Sequence, residues 1–186
     1  MPAFLPPADL SDLSLAEIAG LAEMRRLPPV DRWNPPHCGH SGMRIARDGT
    51  WYHEGGPIGR PAMVRLFSTI LRREPDGGFV LVTPVEKLDI DVEDAPFVAV
   101  ELKSEGEGAA RSLAFRLNTG DVIVAGPDHV LRFEQRGDEP HPVLTVRPGL
   151  DALIARPVYY ELAGLALEED GALWSGGVRF PLEPGR

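Results

Sequence analysis

Apolar positions recur along this 186-residue chain with two periods, one helical and one alternating, and the switches between them mark out its elements. Leu15, Ile18, Leu21, Ala22 and Met24 follow the capping-box pattern Ser14-Leu15-Ala16-Glu17 at helical spacing, which predicts a first helix stopped by Leu27-Pro28-Pro29. Pro35 and Pro36 then force an extended path, so residues 33–42 are expected as a loop. Residues 43–45 and 50–53 flank Asp48-Gly49, a strong hairpin signal. Pro61 suits the first turn of a second helix, with Met63, Val64, Leu66, Phe67, Ile70 and Leu71 as its wide buried stripe. Three strands are predicted over 79–83, 85–92 and 97–102, with Leu88, Ile90 and Val92 facing one way and Asp89, Asp91 and Glu93 the other.

Ser104 to Arg111, SEGEGAAR, lacks periodicity and has the composition of a linker, so the domain boundary is expected there. Beyond it, strands at 113–117 and 122–125 flank Asn118-Thr119-Gly120-Asp121, and two more follow at 130–134 and 143–146. Helical spacing returns over 150–154, is broken or kinked at Pro157, and resumes through Tyr159, Leu162 and Leu165 before a last strand after Leu173. The fold class expected is α+β: an N-terminal helical arm (1–32) and two small domains (33–103 and 104–186), each an antiparallel sheet or roll with a packed helix. The halves echo weakly. Arg60-Pro61 with Leu66-Phe67 matches Arg147-Pro148 with Leu153-Ile154, and Asp48-Gly49, Trp51 and Gly55-Gly56 match Asp170-Gly171, Trp174 and Gly176-Gly177. The order of these pieces is permuted between the halves, which leaves both a repeated motif and chance resemblance open.

Composition narrows the classes. An apolar fraction of 43% and a charged fraction of 25% are those of a folded globular protein. The single Cys38 forms no intrachain disulfide, and no basic leader or long apolar run is evident, so a cytoplasmic protein with no membrane partner is expected. A net charge of −9 opposes a phosphate backbone, and nucleic acid is not expected as a partner. Arg72-Arg73 and Arg25-Arg26 read as basic ends of helices.

No complete catalytic motif is present. Gly39-His40-Ser41-Gly42-Met43 has Met where a nucleophile elbow requires a small residue. His37, Cys38, His40 and His53 with Glu54 offer zinc-type donors, but adjacent His37 and Cys38 are poorly spaced for one ion, and neither metal nor cofactor is expected. A hydrolase using Cys38 with His37 or His40, or a metal bound by them, is the enzymatic alternative. Trp51, Arg60, Thr83 and Glu86 form the stronger candidate group. Arg60 falls at a helix mouth, where free N–H groups favour an anion, while an Arg60 to Glu86 ion pair locking helix to sheet is the structural alternative. Tyr159 is a candidate from the opposite wall of a crevice between the domains.

The segments WNPPHCG, RIARDGTWYHEGGPIGRPAMVRLFSTILRRE, FVLVTPVEKLDIDVEDAPFVAVE and the later RPVYYEL and WSGG together resemble the bacterial family labelled domain of unknown function 1285, over nearly the whole chain. The resemblance implies a two-domain α+β fold of repeated structural motifs, a ligand pocket near the domain interface and a part in signal transduction. The family's motif falls on Trp33, Pro35, Cys38 and Gly39, on Asp48, Gly49, Trp51, Pro57, Ile58 and Arg60, and on Thr83, Pro84 and Glu86. His40 stands where an acidic residue is more usual, which weakens a metal reading. The function expected is therefore non-enzymatic: regulatory binding of a small, anionic ligand or of a protein partner at the domain interface.

Overall fold

A computed structural model describes residues 27–182, together with Ser14. The predicted first helix lies outside the described residues. Two six-stranded sheets dominate, one formed by β1 (His37–Ile45), β2 (Trp51–His53), β3 (Gly56–Pro57), β4 (Leu71–Arg73), β5 (Phe79–Val82) and β6 (Lys87–Val92). The other contains β7 (Phe97–Glu105), β8 (Ser112–Leu117), β9 (Val122–Val124), β10 (Leu131–Arg136), β11 (Glu139–Arg147) and β12 (Leu150–Ile154). Helix α1 (Pro61–Thr69) joins β3 to β4, and α2 (Arg156–Glu168) follows β12 and leads into the hairpin β13 (Ala172–Ser175) and β14 (Val178–Pro181). With two α-helices among the described residues, the molecule is mostly β, and the expected α+β class fits only loosely.

The two sheets share one topology. Their orders are β3-β2-β1-β6-β5-β4 and β10-β11-β12-β7-β8-β9, so each is a pair of three-stranded antiparallel meanders. In each, the first strand of the unit lies parallel to the last, β1 beside β6 and β7 beside β12. This corrects the purely antiparallel expectation. It also relocates the repeat, because Arg60-Pro61 opens a helix whereas Arg147-Pro148-Gly149 turns a hairpin, and the equivalent connections are β3 to β4 and β9 to β10.

Three local expectations change for physical reasons. The stretch 37–42 is strand rather than loop: β1 pairs with β6 through two register shifts, and Gly39 and Gly42 take positive φ at the irregularities. Residues 150–154 are a strand, because alternation in Leu-Asp-Ala-Leu-Ile buries Leu150, Ala152 and Ile154 while β12 bonds to β11 and β7. Pro157 therefore does not kink a helix but opens one, where its missing N–H is not needed. Helix α1 ends at Thr69, so Arg72 and Arg73 lie on β4, and Met63 and Leu66 are left 38% and 63% exposed instead of joining a wide buried stripe.

The domain boundary is displaced as well. The stretch 104–111 is the end of β7 and the connection of the β7–β8 hairpin, held by Arg111, whose guanidinium donates to Glu169 and to Ser104. The first sheet ends at Val92 and the second begins at Phe97, so the chain passes between domains at residues 93–96. One hydrophobic cluster runs through both, from Ile45, Trp51 and Leu71 to Phe115, Leu144 and Leu162. Helix α2 contributes Val158, Leu162 and Ala166 at four-residue spacing, and burying each larger side chain stabilises the fold by about 1.5–3 kcal/mol.

Candidate functional site

The β1–β2 hairpin turn and the β8–β9 turn meet across the junction. Asn118 Nδ2 donates to the Gly49 carbonyl at 3.0 Å, while Asn118 Oδ1 accepts from the Val98 N–H at 2.9 Å. Gly49 has φ +88°, and a Cβ there would lie 2.6 Å from Asn118 Nδ2, so only glycine permits this approach. From the helix, Arg65 Nε donates to the Thr119 carbonyl at 3.3 Å. At the other end of α1, Arg147 donates to the Ser68 and Thr69 carbonyls at 2.6 and 3.4 Å, placing a cation on the negative end of the helix.

These contacts frame a cleft of about 420 Å³ lined from both domains, with Asp48, Thr50, Trp51, Ile58, Val64 and Arg65 on one side and Asn118, Thr119 and Gly120 on the other. Trp51 is 1% exposed and stacks on Phe67 at 6.5 Å between centroids, but its indole N–H has no hydrogen-bond partner among the described residues. An unmet donor buried in this way is costly. Asp48 caps the turn by accepting from the Thr50 N–H at 2.9 Å. That backbone bond first, the Thr50 side chain next and then the Arg44 charge hold its carboxyl below the usual range despite some desolvation.

Of the residues expected to form a site, Trp51 alone lines this cleft. Arg60 is the exposed N-cap of α1, one residue from the lining Gly59 and Pro61, and its guanidinium has no carboxylate partner among the described residues. The expected Arg60 to Glu86 ion pair is not formed. Thr83 and Glu86 instead build the β5–β6 turn, where the Thr83 hydroxyl accepts from the Val85 and Glu86 N–H groups at 3.3 and 3.1 Å. That turn precedes Lys87, at the far end of β6 from the domain junction, roughly 17 Å of strand away. Tyr159 is half-buried on α2 beside Tyr160 and does not line the cleft. Sequence reasoning did not single out Arg65, and it gave Asn118 only a place in the Asn118-Thr119-Gly120-Asp121 turn.

Family models cover the described chain in two pieces: the N-terminal domain of the domain of unknown function DUF1285 matches residues 28–95, and its C-terminal domain matches 96–182. The chain belongs to the DUF1285 family. The division between the two models falls where the chain crosses from the first sheet to the second. A solved DUF1285 protein from Silicibacter pomeroyi DSS-3 is 49% identical, with 90% of this chain and 94% of that chain covered at a TM-score of 0.79. Another, from Shewanella baltica OS155, is 24% identical over 67% of this chain and 92% of that one, with a TM-score of 0.54, a likeness of fold. No curated protein matches.

Within this DUF1285 chain the motif residues divide between two places. Asp48, Gly49, Trp51 and Ile58 line the cleft. Trp33 offers its carbonyl to Arg72 at 2.7 Å, and Cys38 lies on the exposed start of β1. The Cys38 thiol donates to the Pro36 carbonyl at 3.2 Å, while His37 and His40 turn to Asp89 at 2.9 Å and Asp91 at 3.3 Å on β6. Neither imidazole is bonded to the thiol, and among the described residues no group of three His, Cys, Asp or Glu side chains is arranged to hold a metal ion. No helix among them is long and apolar enough to cross a membrane.

Proposed function

We propose that this DUF1285 protein is a regulatory module of the cytoplasm that binds a small ligand in the cleft between its two sheet domains. The observation that carries the reading is a cleft of about 420 Å³ to which both domains contribute, with the Trp51 side chain among its lining residues. Arg65 and the Thr50 hydroxyl stand in the same wall, so the ligand offers an acceptor, most simply a carboxylate or phosphate oxygen. A molecule touching both domains favours the arrangement that lets it do so, which is the property a signalling module requires.

The test is a thermal-shift screen of metabolites, nucleotides and carboxylates against the whole chain, followed by titration on Trp51 fluorescence. A binding compound raises the melting temperature, and Val64→Phe, which fills the cleft, abolishes the rise while the variant remains folded. At a concentration of about 100 Kd the stabilisation is about 2.7 kcal/mol. If no compound moves the transition, or if Val64→Phe leaves the response intact, the cleft is not a ligand site and a protein partner becomes the better reading.

A further inference from the structure

Helix α2 is apolar on two sides. Val158, Leu162 and Ala166 face the core, while the opposite side carries Pro157, Tyr160, Gly164 and Leu167, all exposed. Tyr160 is 63% exposed and Leu167 84%, the highest value for a large apolar side chain among the described residues. A surface helix ordinarily sets its charges opposite the buried stripe, yet the only charged residues here are Arg156 and Glu168 at the ends and Glu161 between them. The outer residues follow one another at intervals of three, four and three, the seam into which a second helix packs. Between its two large side chains Gly164 leaves a gap, because a Cβ there would meet nothing within 4 Å.

The charges at the two ends stand against the helix dipole. Arg156 lies in the first turn, at the positive end, and Glu168 in the last, at the negative end, with Asp170 just beyond it at φ +55°. No acid offsets the first turn and no base the last. Arg156, Glu168 and Asp170 are all exposed, and none has an ion-pair or hydrogen-bond partner among the described residues. Each is a charge that the single molecule places poorly. A second helix running the other way would place all of them well, since antiparallel packing sets a basic end beside an acidic one twice over.

We infer that the outer face of α2 is the interface of a homodimer, in which α2 packs antiparallel against α2 of a second copy about a two-fold axis. With the axis level with Leu162, Tyr160 of one copy enters the gap over Gly164 of the other and Pro157 meets Leu167. Arg156 comes level with Glu168 and near Asp170, and every contact is made twice. A two-fold interface needs a patch complementary to itself, and this one is basic at one end, acidic at the other, with a large side chain and a gap placed symmetrically between. Glu161, on the flank of the seam, stays in water. The helix is about 18 Å long and its face is smaller than the roughly 800 Å² per partner of a standard interface, so the dimer is reversible, with a Kd of about 10–100 µM. The inference is separate from the Trp51 cleft, to which α2 contributes no residue.

Sedimentation equilibrium of the whole chain from about 1 to 500 µM tests it, the 20.3 kDa mass rising toward twice that value. Leu167→Gln, at an exposed position whose change leaves the core intact, weakens association roughly tenfold or more. Arg156→Glu and Glu168→Lys each weaken it by a similar factor, although each gives the helix end the charge that its dipole favours, so at about 1 µM neither variant melts below the native chain. Mixed in equal amounts, these two variants form a heterodimer roughly tenfold tighter than either homodimer, because the introduced acid of one copy then meets the introduced base of the other while the native ends meet each other. The inference is overturned if the native chain stays monomeric at about 500 µM, which would assign the face to residues 1–26 or to another protein. It is overturned equally if Leu167→Gln leaves association unchanged, or if the mixture associates no more tightly than the single variants.

Discussion

At the scale of single residues, the side chains that matter are those whose polar atoms are buried, and their partners decide what they do. Glu169 receives Arg111 at 2.8 Å and the Gly108 N–H at 2.8 Å, with the Arg111 side chain 7% exposed. The Arg111 hydrogen bond first, then that of Gly108, outweigh desolvation and hold the Glu169 carboxyl below its ordinary value. A depressed folded value means that the stabilisation is complete above the unfolded value of 4.5 and is lost as pH falls through the folded one. Glu169→Gln is therefore expected to lower stability near neutral pH and to flatten its decline in acid; urea midpoints measured from neutral pH down to about 3 check this. An unchanged acid limb would mean that the pair contributes nothing there. Trp51 is the contrasting case, a core ring whose one polar atom is left unmet.

At the scale of elements, α1 is short and depends on its surroundings. Nine residues with Pro61 at the start and no side-chain cap at the N-terminus make a marginal helix in isolation. Its last carbonyls are capped from the other domain by Arg147. Arg147→Met keeps most of the stem and removes the charge, and the expected loss is about 1–2 kcal/mol by chemical denaturation, with far-ultraviolet dichroism otherwise retained. A loss below a few tenths would show that water satisfies those carbonyls equally well. The same element shows what was legible beforehand: Pro61 marked the start correctly, but nothing local marked Thr69 as the end. Leu71 to Arg73 continues the helical pattern and becomes strand only because β5 offers it a ladder, Leu71 to Leu81 through Arg73 to Phe79. Leu150 to Ile154 failed in the opposite sense, since five residues with Asp151 among apolar neighbours are too few to fix a period and β11 and β7 settle it.

At the scale of the molecule, two units of equal topology are joined by a four-residue crossing and by a shared core rather than by a flexible linker. Asp94 sits in that crossing and binds groups from both sides, Arg47 before it and Arg136 and His141 beyond it. Such a junction couples the two units, so scanning calorimetry is expected to give a single cooperative unfolding transition with equal calorimetric and van't Hoff enthalpies. Two resolved transitions would show the units to be energetically independent. Cleavage at the expected linker, within 104–111, would separate β7 from β8 and split the second sheet; the unit boundary is at 93–96.

The sequence by itself determined the turns, most of the strands, the start of α1 and the family to which the chain belongs. These rest on short-range chemistry: glycine at positive φ, proline at a first turn, alternation on a half-buried strand. It also marked Trp51, Arg60, Thr83, Glu86 and Tyr159 as candidate site residues, and of these Trp51 lines the cleft. Tertiary structure alone decided that β1 lies parallel to β6, that β7 belongs to the second sheet, and that Thr83 and Glu86 close a distant turn. It alone brought Asn118 to Gly49, Arg147 to the end of α1 and His141 to Asp94. Those contacts join residues 47 to 79 positions apart, and no local pattern encodes them because the partner that satisfies each polar group arrives only when the two sheets meet.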